Sequence, residues 1–203
     1  MATTLSLIGK QTVGADGASS VTFSNIPQTY TDLKLVMSLR GDRANTTEEA
    51  DISFNGSSSN FTAKVLGGSG SSAFSSSYTR GNVGDVDSAN ATSNTFGLID
   101  VYIPNYTSSN YKSLSVDSVQ ENNNATAYAE MYATLWSNTA AITSLTITPN
   151  SAGQKWVQYS TFYLYGVSNS STQNSMIPYA SGGDVITTSN GYWYHTFKYS
   201  GTF

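Results

Sequence analysis

Cysteine is absent from the 203-residue chain, and histidine occurs once, as His195. The lack of cysteine excludes disulfides, thiolate catalysis and cysteine-ligated zinc. A Ser–His–Asp triad would have a single possible base, and the residues around it, "YWYHTF", form a strand pattern rather than a nucleophile elbow. We therefore expect His195 to be a strand residue and not a catalytic base.

Charge is also scarce, because only 11% of the residues are charged, compared with about 25% in an average domain. The net charge is −4 and no basic run occurs, so nucleic-acid binding lacks its main driving force. No stretch approaches the roughly 20 apolar residues of a membrane span. The start, "MATTLSLIGKQTV", lacks the pattern of a signal peptide. We expect neither nucleic acid nor membrane as a partner.

Neutral polar residues take the place of the missing charged residues. Ser, Thr and Asn together account for 75 of the 203 residues, beside 14 tyrosines. A chain this polar resembles a disordered one, but its 12% aromatic residues and its many Val, Ile and Leu indicate a packed core. Such a combination is typical of all-β proteins of extracellular surfaces and virions.

Alternation with a period of two dominates the pattern. "DLKLVMSLR" places Leu33, Leu35, Met37 and Leu39 on one face, and "TFGLIDVYIP" does the same for Ile99, Val101 and Ile103. Roughly ten such runs predict an all-β fold. We expect a jelly-roll-like sandwich of about eight to ten antiparallel strands, with a short C-terminal β-hairpin.

One run, "TAYAEMYATLW", permits two interpretations. Ala, Glu, Met and Leu favour a helix, whereas the alternation of large aromatic with small apolar residues favours a strand. We predict a strand. Its aromatic residues, Tyr128, Tyr132 and Trp136, would then form a candidate glycan platform if their face is exposed.

Two segments with little periodicity suggest loops. Residues 66–94 are rich in Gly and Ser, and residues 168–191 follow the last strong strand. Asn190-Gly191 can supply the tight turn of a terminal hairpin. We therefore predict a sandwich body over residues 1–167 and an extension over residues 168–203, made of a linker and an aromatic hairpin.

Carboxylates are the remaining candidates for catalysis or metal binding. Paired acids can hydrolyse glycosides, and the candidates are Glu48, Glu49, Asp51, Asp100, Asp117, Glu121 and Glu130. The stretch "GDVDSAN" is oxygen-rich but lacks the spacing of a calcium-binding EF-hand, so we interpret it as a solvated turn. We expect no catalytic residue, no cofactor and no metal site.

Four stretches carry a resemblance: "VTFSNIPQTYTDLKLVMSLR", "YIPNYTSSNYKSLSVDSV", "LWSNTAAITSLTITP" and "VQYSTFYLYGVSN". They resemble a group of small virion proteins of tailed bacteriophages, common among marine and cyanobacterial phages. The similar motifs are strand edges and turns, so the resemblance implies a place in a virion and no reaction. The composition agrees, because a cysteine-free, charge-poor chain rich in Ser, Thr and Asn suits a particle that is assembled in the bacterial cytoplasm and then exposed on the virion surface.

These expectations together describe a structural protein, either a capsid decoration or a head or tail appendage, that acts through contacts with other virion proteins. The alternative is a tail fibre or spike that binds a host receptor or glycan. We expect a symmetric homo-oligomer, and the virion context suggests a trimer. The candidate interface is the aromatic terminus, namely Tyr192, Trp193, Tyr194, Phe197, Tyr199 and Phe203.

Overall fold

A computed structural model describes residues 4–123, 126–168, 185–189, 192–196 and 198. No helix occurs among them. Residues Thr4–Ser168 form one compact unit. Its strands within the described residues are β1 (Thr4–Thr12), β2 (Val21–Phe23), β3 (Asp32–Leu39), β4 (Thr47–Phe54), β5 (Phe61–Gly68), β6 (Ala73–Tyr78), β7 (Asn82–Asp87), β8 (Gly97–Ile103), β9 (Lys112–Gln120), β10 (Tyr128–Trp136), β11 (Leu145–Pro149) and β12 (Thr161–Ser168).

These strands form two antiparallel sheets. The large sheet has eight strands in the order β1-β12-β3-β8-β9-β10-β5-β6, and the small sheet has four in the order β2-β11-β4-β7. The two sheets pack in a sandwich-like arrangement, which confirms the predicted all-β fold. This strand order does not confirm the jelly-roll connectivity.

The core lies between the sheets, and the central strands of the large sheet contribute alternate apolar residues to it. Leu33, Leu35 and Met37 on β3 are fully buried, as are Ile99 and Val101 on the neighbouring strand β8. Burying one such side chain contributes roughly 1.5–3 kcal/mol. The alternating pattern of the sequence predicts these inward faces correctly.

Residues 66–94 are not the long loop that composition suggests. They contain the end of β5 and the whole of β6 and β7, and "GDVDSAN" lies mostly in β7 rather than in a solvated turn. Strand β7 is an edge strand, and polar side chains of the large sheet satisfy its free backbone groups. Thr134 Oγ1 donates to the Asn82 carbonyl at 2.7 Å, and Ser118 Oγ donates to the Asp85 carbonyl at 2.9 Å. These tertiary hydrogen bonds fix a strand whose own sequence has weak β-propensity.

A buried arginine holds the segment that follows β7. The Arg40 guanidinium donates to the carbonyls of Ala91 (3.1 Å), Thr92 (2.8 Å) and Thr95 (2.9 Å). Only 9% of the residue is exposed. Since buried carbonyls are costly when they lack a donor, this one side chain determines the path of residues 91–95.

The described residues outside the compact unit form strands β13 (Val185–Ser189) and β14 (Tyr192–Thr196). They pair antiparallel, with Ser189 opposite Tyr192. The predicted terminal hairpin is therefore present. Its turn at Asn190-Gly191, like the predicted linker over residues 169–184, lies outside the described residues.

Candidate functional site

Strands β8, β9, β10 and β5 are neighbours in the large sheet, and the face that they turn away from the core carries several exposed apolar residues among polar ones. Met131 on β10 is 63% exposed and lies directly opposite Leu66 on β5, which is 62% exposed. Val119 on β9 lies opposite Leu98 on β8, and both are exposed. We call this set, together with the exposed Tyr102, the outer patch.

A groove covers the part of the outer patch that contains Leu66, Tyr102 and Met131. Its volume is about 500 Å³, and its lining includes Leu66, Tyr102, Pro104, Met131 and Ala133. Contiguous exposed apolar surface of this kind marks interaction sites in water-exposed proteins. The alternating strands produce it because they carry apolar residues at outward positions, where a simple amphipathic strand carries polar ones.

Four charged side chains lie within or beside the outer patch. Lys34 and Asp100 form an ion pair at 2.8 Å. Asp117 lies opposite both Asp100 and Met131 in the strand ladders, and Lys64 lies opposite Ala133. The Lys64 ammonium donates to Ser77 Oγ at 2.6 Å. Asp117 therefore lies between Asp100 and Met131 within the patch, and Lys64 lies on the β5 side of Ala133.

A second cluster of functional groups lies at the β7 edge of the small sheet. We call Glu49, Asp51, Asp85 and Glu130 the carboxylate cluster. Glu49 on β4 lies directly opposite Asp85 on β7. Arg80 bridges the cluster, because its guanidinium pairs with Glu49 Oε1 at 2.7 Å and with Asp51 Oδ1.

Burial raises the pKa values of three carboxyl groups of the cluster, those of Asp51, Asp85 and Glu130. The pKa of Asp51 rises to about 6, although Arg80 opposes the shift. Burial, followed by the negative charges of Glu130 and Glu49, raises the pKa of Asp85. Burial also raises the pKa of Glu130. Since Asp85 and Glu130 are hydrogen-bonded neighbours, they titrate as a pair and retain a proton beyond the usual range of a carboxyl.

Glu130 has a structural role in this cluster. It points inward from β10 and is 4% exposed, and its Oε2 accepts a hydrogen bond from the Asp85 backbone N–H at 3.2 Å. An unpaired edge N–H in a sandwich interior is costly, so Glu130 stabilises the edge of β7 by accepting this hydrogen bond. The structure buries this candidate carboxylate because the β7 edge needs an acceptor in the interior.

The candidate carboxylates of the sequence thus separate into groups. Glu49, Asp51 and Glu130 come together, whereas Asp100 and Asp117 lie on the outer face and Glu121 is exposed in a loop. Glu48 is fully buried, and its Oε1 accepts from the Ser151 N–H at 3.1 Å. Asp85 was missed because "GDVDSAN" suggests a turn, and only the pairing of β4 with β7 places it opposite Glu49. Within the described residues, no group of three or more His, Cys, Asp or Glu is arranged to hold a metal ion.

The candidate glycan platform faces the core. Tyr132 is 3% exposed and Trp136 is 1% exposed, and Trp136 packs edge-on against Phe54 with 5.2 Å between ring centroids. Tyr128 is half-buried and packs edge-on against Phe74. The prediction of a strand is confirmed, but the exposed ring faces that a sugar platform requires are lacking at Tyr132 and Trp136. Tyr132 and Trp136 fill the core, whereas Ala129, Met131 and Ala133 face outward.

The candidate terminal interface is only partly described. Tyr194 on β14 is exposed, and His195 is half-buried on the same strand, as expected for a strand residue. The side chains of Tyr192 and Trp193 lie outside the described part of the structure, as do residues Phe197, Tyr199 and Phe203. Their role as an interface stays a prediction.

Comparison of the chain with family models, curated proteins and solved structures finds no match in any of the three. Within the described residues there is also no helix with the length and apolar character that a membrane crossing needs.

Proposed function

We propose that the protein is a virion structural protein on the surface of a tailed-phage particle, as a capsid decoration or a head or tail appendage, and that it acts through protein–protein contacts. The observation that carries the contact role is the outer patch, with Met131 and Leu66 opposite each other and more than half exposed. Aliphatic surface of this extent is costly in water, and covering it with another protein removes that cost.

The chemistry of the patch favours a protein over a sugar as its partner. Sugar sites present exposed aromatic ring faces, whereas the outer patch is mostly Leu, Val and Met. Its one aromatic member, Tyr102, uses its hydroxyl to donate to Asp32 Oδ2 at 2.6 Å. With Tyr132 and Trp136 in the core as well, a glycan-binding spike has less support than a contact role.

The location on a particle has two supports. One is the resemblance of four strand-and-turn stretches to small virion proteins of tailed phages. The other is composition, because a cysteine-free chain folds in a reducing cytoplasm without oxidation, and a neutral, Ser/Thr/Asn-rich surface remains compatible with exposure outside the cell. A symmetric oligomer, with the terminal aromatic hairpin as a further contact, belongs to the same proposal.

Particles of a phage whose genome encodes this chain provide the test. Purified particles are labelled with gold-conjugated antibodies raised against the recombinant protein, and the labels are located by electron microscopy. We expect regular surface labelling. Particles grown with a Leu66→Asp/Met131→Asp chain should lose the label, whereas particles with Leu7→Asp, an exposed change on strand β1 at the other end of the sheet, should keep it.

Two results would reject the proposal. One is the absence of the chain from purified particles by mass spectrometry and by labelling. The other is full incorporation of a folded Leu66→Asp/Met131→Asp chain, since this would show that the outer patch makes no contact that the particle needs.

A further inference from the structure

We infer that the outer patch binds the outer patch of a second copy of the chain, face to face about a two-fold axis, with Lys64 of each copy against Asp117 of the other. The inference rests on the proposed contact role of the patch and names its partner. It follows from the charges that lie within or beside the patch.

Asp117 is the first of these charges. It lies directly opposite Asp100 in the β8–β9 ladder, and like charges in that position destabilise a sheet. Asp100 has its own cation, Lys34, at 2.8 Å. Asp117 has no ion pair with any residue that the structure describes. Among the residues that the structure describes, Asp117 therefore has no cation of its own, whereas the Asp100 opposite it has Lys34.

Lys64 is the second of these charges. It is exposed, and its ammonium donates to a neutral hydroxyl, Ser77 Oγ, at 2.6 Å. No carboxylate in the described part of the chain pairs with it. Lys64 and Asp117 border the same apolar centre on either side of β10, on β5 and β9. Standard strand spacings place their Cα atoms about 12 Å apart, too far for the two groups to neutralise each other directly.

Two opposite charges on either side of an apolar centre make this face complementary to itself. A two-fold axis that lies in the plane of the interface places Lys64 of each copy beside Asp117 of the other copy. The contact between Lys64 and Asp117 therefore forms twice. Met131 and Leu66 of both copies then cover each other at the centre. A basic or an acidic partner protein would satisfy only one of the two charges, and this favours a second copy as the occupant.

A charge exchange tests the pairing. The dissociation constant of the full-length protein is measured by sedimentation velocity for wild type, Lys64→Asp, Asp117→Lys and the double variant. Each single change places like charges together twice, so we expect the dissociation constant to rise about tenfold or more. The double variant restores opposite charges and should return to within about threefold of wild type. Leu7→Asp, at the far end of the sheet, should have no effect.

Each other outcome overturns the inference. A wild-type monomer at several hundred micromolar excludes a stable two-fold pair, and a wild-type trimer excludes two-fold symmetry. A dimer that is insensitive to both single changes uses a different face. Loss in both single variants without recovery in the double variant shows that Lys64 and Asp117 do not meet.

If a charge reversal impairs folding, the milder Lys64→Gln and Asp117→Asn replace it, and each should weaken the dimer. If the charge exchange gives one of these results, the particle-labelling test of the proposed function is unaffected. If the chain is absent from particles, the proposed function is rejected and the measurement of the dimer is unchanged.

Discussion

The backbone N–H of Asp85 donates to the Glu130 side chain at 3.2 Å, and the two carboxyl groups lie next to each other in the sandwich interior. Burial raises the pKa of both groups, and that of Asp51 nearby to about 6. Carboxyl groups of the unfolded chain have pKa values near 4. Between that pH and the raised pKa values, these three groups are therefore protonated in the folded protein and ionised in the unfolded chain.

The sign of the resulting pH dependence follows from linkage. A carboxyl whose pKa is raised by folding contributes stability that is fully present below the unfolded value, near pH 4, and is lost as the pH rises through the folded value. For Asp51 this loss is complete above about pH 6. The Asp85–Glu130 pair extends the loss to higher pH. We therefore expect this cluster to make the protein less stable at pH 8 than at pH 5.

Asp85→Asn isolates the effect of the pair. The variant should gain stability relative to wild type as the pH rises from 5 to 8, measured as the difference in free energy of unfolding in urea at the two pH values. Asp16→Asn, an exposed change outside the cluster, is the control and should follow the wild type. A stability difference between Asp85→Asn and wild type that does not change with pH would contradict the assignment.

Strand β10 allows a comparison of its two faces. Trp136 is 1% exposed and contacts Phe54 and Phe61, whereas Met131 is 63% exposed. Trp136→Ala should lower the free energy of unfolding by about 3–5 kcal/mol through the cavity that it creates. Met131→Ala should change it by no more than about 0.5 kcal/mol. Urea unfolding at low protein concentration measures both values, and equal effects would mean that the two faces are assigned wrongly.

Arg40 should be among the most sensitive polar positions. Arg40→Met removes the guanidinium donor from the carbonyls of Ala91, Thr92 and Thr95, so we expect a loss of about 3 kcal/mol in the free energy of unfolding. Arg40→Lys should lose less, because an ammonium retains the charge but not the fork of donors. Thermal unfolding of the two variants and wild type ranks them. A variant Arg40→Met as stable as wild type would show that residues 91–95 need no such anchor.

The sequence predicts the strands and most inward faces because period-two alternation records burial directly, as on β3 and β8. It fails where tertiary contacts outweigh local pattern. Strand β7 has Gly and Asp at its centre and exists because Ser118, Thr134 and Glu130 reach its edge. On β10 the polar edges of Tyr132 and Trp136 suggest an outward face, yet ring volume makes them core residues.

The outer patch is hidden from sequence analysis for a different reason. Leu66, Leu98, Val119 and Met131 come from four separate strands, and each alone is an unremarkable exposed apolar residue. Only the strand order β8-β9-β10-β5 makes them contiguous. The carboxylate cluster likewise depends on the pairing of β4 with β7, since no sequence spacing relates Glu49 to Asp85.

Oxidation of Met131 tests most directly whether the outer patch is covered by another protein. The thioether of Met131 is exposed in the single chain, while that of Met37 is fully buried and serves as an internal reference. Purified particles and dilute free protein are treated with hydrogen peroxide, and sulfoxide formation at each methionine is followed by mass spectrometry. We predict that Met131 oxidises rapidly in the dilute protein and nearly as slowly as Met37 in the particle. Equally rapid oxidation of Met131 in both samples would contradict the account.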